Sequence, residues 1–126
     1  MSFALDLVIP PIKNKEPITV VLEKGHWTKY IKQNLAPRFT KLTQVPVNIV
    51  ELDLGNMHDL QAKSLLNANS NFDVLTLEAG WAKEWAAKGY TIPLNYLAKQ
   101  YDDNQTGWNN YLESFYPSLL EILTYQ

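Results

Sequence analysis

Acidic residues follow each of three short apolar runs in this chain, and a tryptophan stands close behind two of them. The acidic residues are Glu23, Asp53 and Glu78, and the tryptophans are Trp27 and Trp81. A carboxylate oxygen accepts hydrogen bonds from hydroxyl groups, and the flat face of an indole ring stacks against C–H groups. This combination suits a ligand that carries both kinds of group, such as a sugar.

A purely structural role competes with ligand contact at each of these positions. Glu23 could be a solvated strand end, Asp53 a turn residue, and Glu78 an acceptor for the free amides of the helix that follows it. Trp27 begins an apolar helical stripe and is expected to pack in the core, whereas Trp81 suits the core and the site equally. The residue types alone leave these alternatives open.

Two neighbouring side chains complete the set of candidates. His26 is included as a ligand-binding candidate, although no residue near it in sequence would orient its ring, which favours a polar turn residue. Trp85 lies one helical turn after Trp81 and is expected in the core. We do not expect His26 and His58 to form a metal site, because metal sites need a more defined set of ligands.

Composition excludes several classes of protein. The chain has 126 residues, 46% of them hydrophobic, which suits a single compact domain with one core. A net charge of -2, with lysine and arginine spread singly, argues against a nucleic-acid partner. There is no cysteine, so disulfides and thiolate metal sites are excluded. No phosphate-binding loop, nucleophile elbow or zinc motif is present, and no cofactor is expected.

The first residues are interpreted as a tail that precedes the domain. Pro10, Pro11 and Pro17 argue for an extended segment, so we expect a tail over residues 1–16 and a single α/β domain over residues 17–126. The apolar stretch of residues 3–9 lacks the basic flank and the cleavage site of a signal peptide. No apolar run approaches the roughly 20 residues of a membrane helix, so the chain as given is expected to be soluble.

The order of the elements predicts a parallel sheet with helices on both faces. Apolar, β-branched runs mark strands at about residues 18–23, 45–52 and 73–77, and Pro46 indicates that the second is an edge strand. Helical patterns follow each strand. Right-handed crossovers that keep the first strand in the middle give the strand order 2-1-3 and a three-layer α/β/α fold. A ligand would then lie beyond the carboxyl ends of the strands.

The helical patterns give more detailed expectations. The first helix, about residues 27–42, is expected to bury one apolar stripe and to kink near Gln33 and Asn34, because Pro37 lies inside it. The stripe consists of Trp27, Tyr30, Ile31, Leu35, Phe39 and Leu42. The second helix, about residues 58–67, is expected to bury Leu60, Leu65 and Leu66. Gly89 should close the third helix, Asn95 should cap the next, and Pro117 should stand in the first turn of the last.

Four segments, taken in order, resemble a known family. They are Tyr30-Ile-Lys-Gln-Asn-Leu-Ala-Pro-Arg-Phe-Thr-Lys-Leu-Thr, Val47-Asn-Ile-Val, Phe72-Asp-Val-Leu-Thr-Leu, and Trp81-Ala-Lys-Glu-Trp-Ala-Ala-Lys-Gly-Tyr-Thr-Ile-Pro-Leu. With this set, the chain from about residue 18 to residue 126 resembles the type 1 extracellular solute-binding proteins of ABC importers, particularly the sugar-binding members. The resemblance implies a type II periplasmic-binding-protein fold, of which this chain would be the first part of lobe one.

The resemblance also implies a function and partners. Such proteins hold a small solute between two α/β lobes and deliver it to the membrane permease of an ABC importer, in the periplasm or outside the cell, without enzymatic chemistry. Two alternatives stay open. In one, a small α/β enzyme or regulatory domain uses Asp53, Glu78 and His26 as acid and base. In the other, a fragment acts through association, since an unpaired edge of the third strand would template self-association.

Overall fold

The protein is described here by a computed structural model that covers residues 9, 11–67, 70–102 and 106–126. The chain divides into two compact units, Met1–Thr76 and Leu77–Gln126. Within the expected tail, residues 11–16 contain no helix or strand. The tail over residues 1–16 and the single domain over residues 17–126 stay predictions.

The first unit is built on a three-stranded parallel sheet. Its elements are β1 (Ile18–Glu23), α1 (His26–Tyr30), a π-helical turn (Ile31–Leu35), α2 (Ala36–Thr43), β2 (Val47–Leu52), α3 (Leu54–Leu65) and β3 (Val74–Leu75). The sheet has the order β2-β1-β3, and β1 pairs in parallel with both neighbours. The predicted strand order and direction are therefore confirmed, and β2 is an outer strand, as Pro46 indicated.

The central position of β1 decides where the helices of this unit lie. The crossover from β1 to β2 and the crossover from β2 to β3 run in opposite directions across the sheet. Because crossovers between parallel strands are right-handed, they place α1 and α2 on one face of the sheet and α3 on the other. The result is the expected α/β/α arrangement, in which Val21 of β1 is fully buried.

The helical segment after β1 is irregular near Gln33 and Asn34, where Pro37 predicted a kink. A π-helical turn, Ile31–Leu35, separates α1 from α2 and includes Gln33 and Asn34. Pro37 has no amide hydrogen, and its ring would crowd the carbonyl of Gln33 in a regular α-helix. A wider turn immediately before the proline relieves this conflict, which is a common cause of π-helical turns inside helices.

The predicted burial of the apolar stripe on this helix is wrong. Five of its six members are exposed by 41% or more: Trp27, Tyr30, Leu35, Phe39 and Leu42. A stripe with spacings of three and four shares one face only if the helix keeps 3.6 residues per turn throughout. The π-helical turn breaks this regularity, so the residues before it and the residues after it do not form one continuous face.

The buried face of α3 also differs from the expected one. The helix begins at Leu54, four residues earlier than predicted, and its buried residues are Met57 and Gln61. Leu60 and Leu66, which were expected in the core, are exposed. Helix propensity and apolar spacing do not determine which side of a helix meets the sheet, because the short connection from β2 decides its rotation.

The second unit is helical in its described part. It contains α4 (Ala79–Ala87), α5 (Leu94–Tyr101), α6 (Thr106–Glu113) and α7 (Pro117–Ile122). Gly89 has a φ of 71° and follows α4, where the Tyr90 amide donates to the carbonyl of Trp85 at 2.9 Å. This is the expected left-handed helix stop. Pro117 begins α7, as expected.

Asn95 does not cap α5, and this prediction is wrong. The helix starts at Leu94, and Pro93 occupies the position before it with φ -58° and ψ 121°. The Pro93 carbonyl accepts hydrogen bonds from the amides of Tyr96 and Leu97. The proline ring presets this geometry, so the helix begins one residue before the asparagine can act as a cap.

Within the described residues, no helix has the length and apolar character that crossing a membrane requires.

Trp85 is the most completely buried large side chain of the second unit, at 0% exposure. Its ring meets the edge of the Tyr90 ring at a centroid distance of 5.7 Å and tilts against Trp81 at 6.5 Å. The ammonium of Lys88 lies 5.4 Å from the Trp85 ring centroid. The hydrogen bond from Lys88 to Glu84 raises the pKa of Lys88. The core role expected for Trp85 is confirmed.

We predict that Trp85→Ala and Trp27→Ala differ sharply in their effect on stability. Removing the buried Trp85 ring should lower the free energy of unfolding by about 3–5 kcal/mol, because a cavity remains in the packed interior. Trp27 is 52% exposed, so its removal should cost roughly 1 kcal/mol or less. Urea denaturation followed by circular dichroism measures both variants. Equal losses for the two substitutions would contradict the burial described here.

Candidate functional site

The carboxyl ends of β1 and β2 lie side by side and bring two candidate acids to one edge of the sheet. Glu23 pairs with Leu52 in the register of the two strands, and Asp53 follows Leu52 directly. The Lys24 amide continues the pairing with a 2.8 Å hydrogen bond to the Leu52 carbonyl. Ligands of parallel α/β sheets bind at such an edge. Glu23 and Asp53 are therefore neighbours at the place where a ligand site is expected.

The carboxylate of Asp53 is not used to begin the next helix. Asp53 stands before α3 with φ -69° and ψ 139°, the usual conformation of a cap residue, but its side chain makes no capping hydrogen bond. The turn is closed by the backbone instead, since the Asn56 amide donates to the Asp53 carbonyl at 3.0 Å. The side chain is exposed. Asp53 is thus a turn residue whose carboxylate still faces water.

A buried threonine holds the backbone of Glu23. The Thr28 hydroxyl donates a 2.7 Å hydrogen bond to the Glu23 carbonyl, and the Thr28 amide donates to the Gly25 carbonyl at 3.2 Å. Thr28 is only 1% exposed, whereas the side chain of Glu23 is half-buried. These two bonds fix the turn between β1 and α1, because they tie the first turn of the helix to the end of the strand.

Trp27 presents an exposed aromatic surface on this turn, so the core packing expected for it is wrong. Its ring covers Gly25 so closely that a Cβ at position 25 would lie 2.7 Å from Cζ2 of the indole. The glycine permits this close approach. The ring is half-exposed because it packs on backbone at the sheet edge and not on the sheet face. His26 begins α1 beside it and is exposed.

Side-chain hydrogen bonds hold β3 at both of its ends. Before the strand, the Asp73 carboxylate accepts a 2.8 Å hydrogen bond from the Thr19 amide. After it, the Thr76 hydroxyl donates to the Val21 carbonyl at 2.8 Å. Gln61 on α3 donates from Nε2 to the Thr76 carbonyl at 2.9 Å. These bonds reinforce a strand of only two residues, Val74–Leu75.

In the second unit, Glu78 occupies a position equivalent to that of Asp53. It stands before α4 with φ -68° and ψ 140°, is exposed, and makes no capping hydrogen bond with its side chain. The Trp81 amide donates to the backbone carbonyl of Glu78 at 2.9 Å. The helix-capping role considered for the Glu78 carboxylate is therefore wrong. Trp81 is half-buried against Trp85, which keeps part of its surface accessible.

The candidates thus form two groups, each described within its own unit. Glu23, His26, Trp27 and Asp53 lie at the carboxyl ends of β1 and β2, and Glu78 and Trp81 lie at the start of α4. In the described part of the chain, no group of three or more histidine, cysteine or acidic residues could hold a metal ion. His58 lies on α3 and contacts Asp59 at 3.5 Å. The chemistry present is hydrogen-bond acceptance and ring stacking.

The sequence did not lead us to two buried polar residues that hold the carboxyl ends of β1 and β3. Gln61 stands between Met57 and Leu65 at spacings of four, so a polar residue on the inward stripe of α3 was a detectable signal. Thr28 gave no comparable signal, because threonine in the first turn of a helix is common. Both are buried, at 0% for Gln61 and 1% for Thr28, and both hold backbone carbonyls.

Comparisons with known proteins agree with this geometry. A family model described as bacterial extracellular solute-binding protein matches residues 24–125. The chain belongs to this family of bacterial extracellular solute-binding proteins. The family consists of solute-binding proteins and not of enzymes, which removes the support for the acid–base alternative with Asp53, Glu78 and His26. A sequence comparison finds no curated protein that matches the chain.

A solved structure shows the fold in a longer protein. The chain is similar to the crystal structure of an ABC transporter solute-binding protein from Agrobacterium radiobacter K84 in complex with ribitol, with a TM-score of 0.67 and 20% identity. The likeness covers 80% of this chain and 24% of that chain. This chain therefore has a periplasmic-binding-protein fold and spans about a quarter of the solute-binding protein that it resembles.

We predict that Gly25→Ala displaces the Trp27 ring. The added methyl group would meet three indole atoms at 2.7–2.9 Å, so the ring must move. The indole N–H signal of Trp27 in a ¹⁵N-resolved NMR spectrum should shift clearly, while those of the other three tryptophans stay in place. Gly55→Ala is the matched control, because nothing lies within 4 Å of its added Cβ. An unchanged Trp27 signal would disprove the close approach.

Proposed function

We propose that this chain is the ligand-capturing N-terminal part of the solute-binding component of an ABC importer, and that its solute is a carbohydrate or a related polyol. The observation that carries the proposal is the family match over residues 24–125. The solute is held and released without covalent chemistry. The place of action that follows from the family is the periplasm or the outside of the cell.

The candidate residues, taken within each unit, support a polyhydroxylated solute. Asp53 and Glu78 stand at helix starts without capping them, so their carboxylates are available to accept hydrogen bonds from hydroxyl groups. Trp27 presents a half-exposed indole ring on the turn after β1. Glu23 and His26 add polar atoms to the same turn. Acceptors beside aromatic faces match both the hydroxyl groups and the C–H faces of a sugar.

The similar solved protein supports the same chemical class. Its crystal structure contains ribitol, which is a chain of five carbons with a hydroxyl group on each. Aliphatic amino acids, peptides and metal ions lack this density of hydroxyl groups. We therefore place polyols and monosaccharides first among the solutes to be tested against this chain.

The proposed partners follow from the extent of the fold. The chain spans 24% of the similar solute-binding protein, so we propose that capture requires the remainder of such a fold. Closure of two lobes around the solute would then present it to the membrane permease of an ABC importer. Binding should accompany closure, because the lobes make differential contacts with the solute only in the closed state.

Titration calorimetry tests this function. The chain, and the longest gene product that contains it, are titrated with ribitol and a panel of monosaccharides, with glycine and a dipeptide as negative controls. Heat of saturable binding for at least one polyol or sugar supports the proposal. Binding of the amino acid or peptide alone would place the chain among solute-binding proteins of another specificity.

We predict that Trp81→Ala weakens solute affinity up to about tenfold, because a stacking face is lost. The melting temperature should fall less than in Trp85→Ala, because Trp81 is half-buried whereas Trp85 is fully buried. Trp108→Ala on α6 is the matched control, since this tryptophan lies outside the candidate site. A large fall in melting temperature with unchanged affinity would assign Trp81 to the core.

We also propose that the chain by itself associates with further copies. β2 and β3 are the outer strands of the described sheet, and each leaves one edge without a partner strand in that part of the chain. On α7 and after it, Leu119, Ile122 and Leu123 are exposed by 45% or more. Unpaired edges and exposed apolar side chains favour association in water.

Light scattering over a concentration series measures this association. We predict a rise in apparent mass above the 14.5 kDa of the monomer as concentration increases. Ile122→Glu should shift the equilibrium towards the monomer without changing the circular dichroism spectrum, since the side chain is exposed. Ser118→Glu places the same charge on the same helix outside the apolar group and serves as the control. A monomer at millimolar concentration would refute the proposal.

A further inference from the structure

Gln61 is a polar side chain in a position where packing alone would favour an apolar one. It lies on the inward face of α3, one helical turn after the buried Met57, and is 0% exposed. Burying an amide costs free energy unless hydrogen bonds replace those with water. A leucine or methionine would fill the space without this cost. The reason for a glutamine should therefore be found in what its amide contacts.

One of its contacts is a backbone carbonyl at the carboxyl end of β3. Nε2 of Gln61 donates a 2.9 Å hydrogen bond to the carbonyl of Thr76. Thr76 itself is tied to β1 by two bonds to the Val21 carbonyl, from its amide at 3.0 Å and its hydroxyl at 2.8 Å. The residue is therefore held from both sides, by the central strand and by α3.

This fixation matters because β3 is short. The pairing of β1 with β3 extends over two residue pairs, Val20 with Val74 and Val21 with Leu75, whereas β1 and β2 pair over six. Two pairs provide little resistance to fraying, and backbone segments of low local stability open readily. The side-chain bonds at Thr76 supply order that the strand pairing by itself does not.

We propose that Gln61 is a positioning residue that fixes the carboxyl end of β3, at the same end of the sheet as Glu23 and Asp53. Because β1 pairs in parallel with both β2 and β3, the carbonyl that Gln61 holds lies at the end of the sheet where these two acids stand. Gln61 acts through the backbone and does not touch the solute. The part of this inference that concerns solute binding rests on the proposed function.

The test compares Gln61→Met with Gln100→Met. Methionine keeps the length of the side chain but cannot donate a hydrogen bond, so the Thr76 carbonyl loses a donor. Gln100 also donates from Nε2, to the Tyr96 hydroxyl, but it is exposed on α5, so its substitution controls for the exchange of residue type. Amide hydrogen exchange, measured residue by residue by NMR, reports local opening in each variant.

We expect the protection factor in Gln61→Met to fall about tenfold or more for the Thr76 amide, which donates to the Val21 carbonyl directly after β3. The amides that join β1 and β2 should keep theirs, because the six-residue pairing does not depend on Gln61. An equal fall in protection after β3 and in the β1–β2 pairing would mean that Gln61 only adds global stability, and this result would overturn the proposal. Unchanged protection after β3 would also overturn it.

A second variant covers the case in which Gln61→Met does not fold. Gln61→Glu has nearly the same shape, and its carboxyl group can donate to the Thr76 carbonyl only while it is protonated. Protection after β3 should therefore be close to that of the original chain at low pH and should fall as the pH rises. Protection that does not change with pH in this variant would count against the bond as the cause.

Solute affinity separates this inference from the proposed function. If a polyol binds, Gln61→Met should weaken its affinity severalfold, while the protection of the β1–β2 pairing stays unchanged. Unchanged affinity with loosened amides after β3 would refute the role in solute binding. If no polyol or sugar binds the longest gene product that contains the chain, the proposed function fails, and the exchange data still decide whether Gln61 positions the end of β3.

Discussion

The parallel pairing of β1 with two neighbours is the interaction on which the rest of the first unit depends. Because β1 lies between β2 and β3, the two crossovers run in opposite directions across the sheet, and their right-handedness then places helices on opposite faces. The same pairing aligns Glu23 with Leu52, so that the acids after β1 and β2 are neighbours. The location of the candidate site is a consequence of strand order and register.

Side-chain hydrogen bonds then give the strand ends their shape. Thr28 holds the carbonyl of Glu23, and Gln61 holds the carbonyl of Thr76. Each is a buried polar group whose partner is backbone, which satisfies the carbonyl where the regular pairing ends. The carboxylates of Asp53 and Glu78, in contrast, make no capping hydrogen bonds. In the first unit, buried side chains therefore hold the backbone at the ends of β1 and β3, while the Asp53 side chain after β2 is exposed.

Extensive apolar surface outside the core agrees with the extent of the fold. Few large side chains of the described chain are fully buried, while aromatic and aliphatic residues on α1, α2 and α5–α7 are exposed. The chain spans 24% of the solute-binding protein that it resembles. Exposed apolar faces of this kind are typical of surfaces that pack against another segment or protein. The amphipathic pattern of a helix shows which face is apolar, but it does not show what packs against that face.

The sequence by itself determined the parallel direction of the strands, the disturbance before Pro37, the stop at Gly89 and the burial of Trp85, because these follow from local patterns and from the alternation of strands with helices. The positions of the candidate acids after the strands were readable for the same reason. The strand order 2-1-3 was predicted by placing the first strand in the middle, and the handedness of the crossovers fixes the helix faces only once that order is given. Only the tertiary structure decided which apolar residues are buried, that Trp27 is exposed over Gly25, and that Gln61 holds β3. The burial pattern and the Gln61 bond depend on helix rotation and on contacts between residues on different elements, and the position of Trp27 depends on the course of the turn after β1. Spacing along one helix contains none of this information.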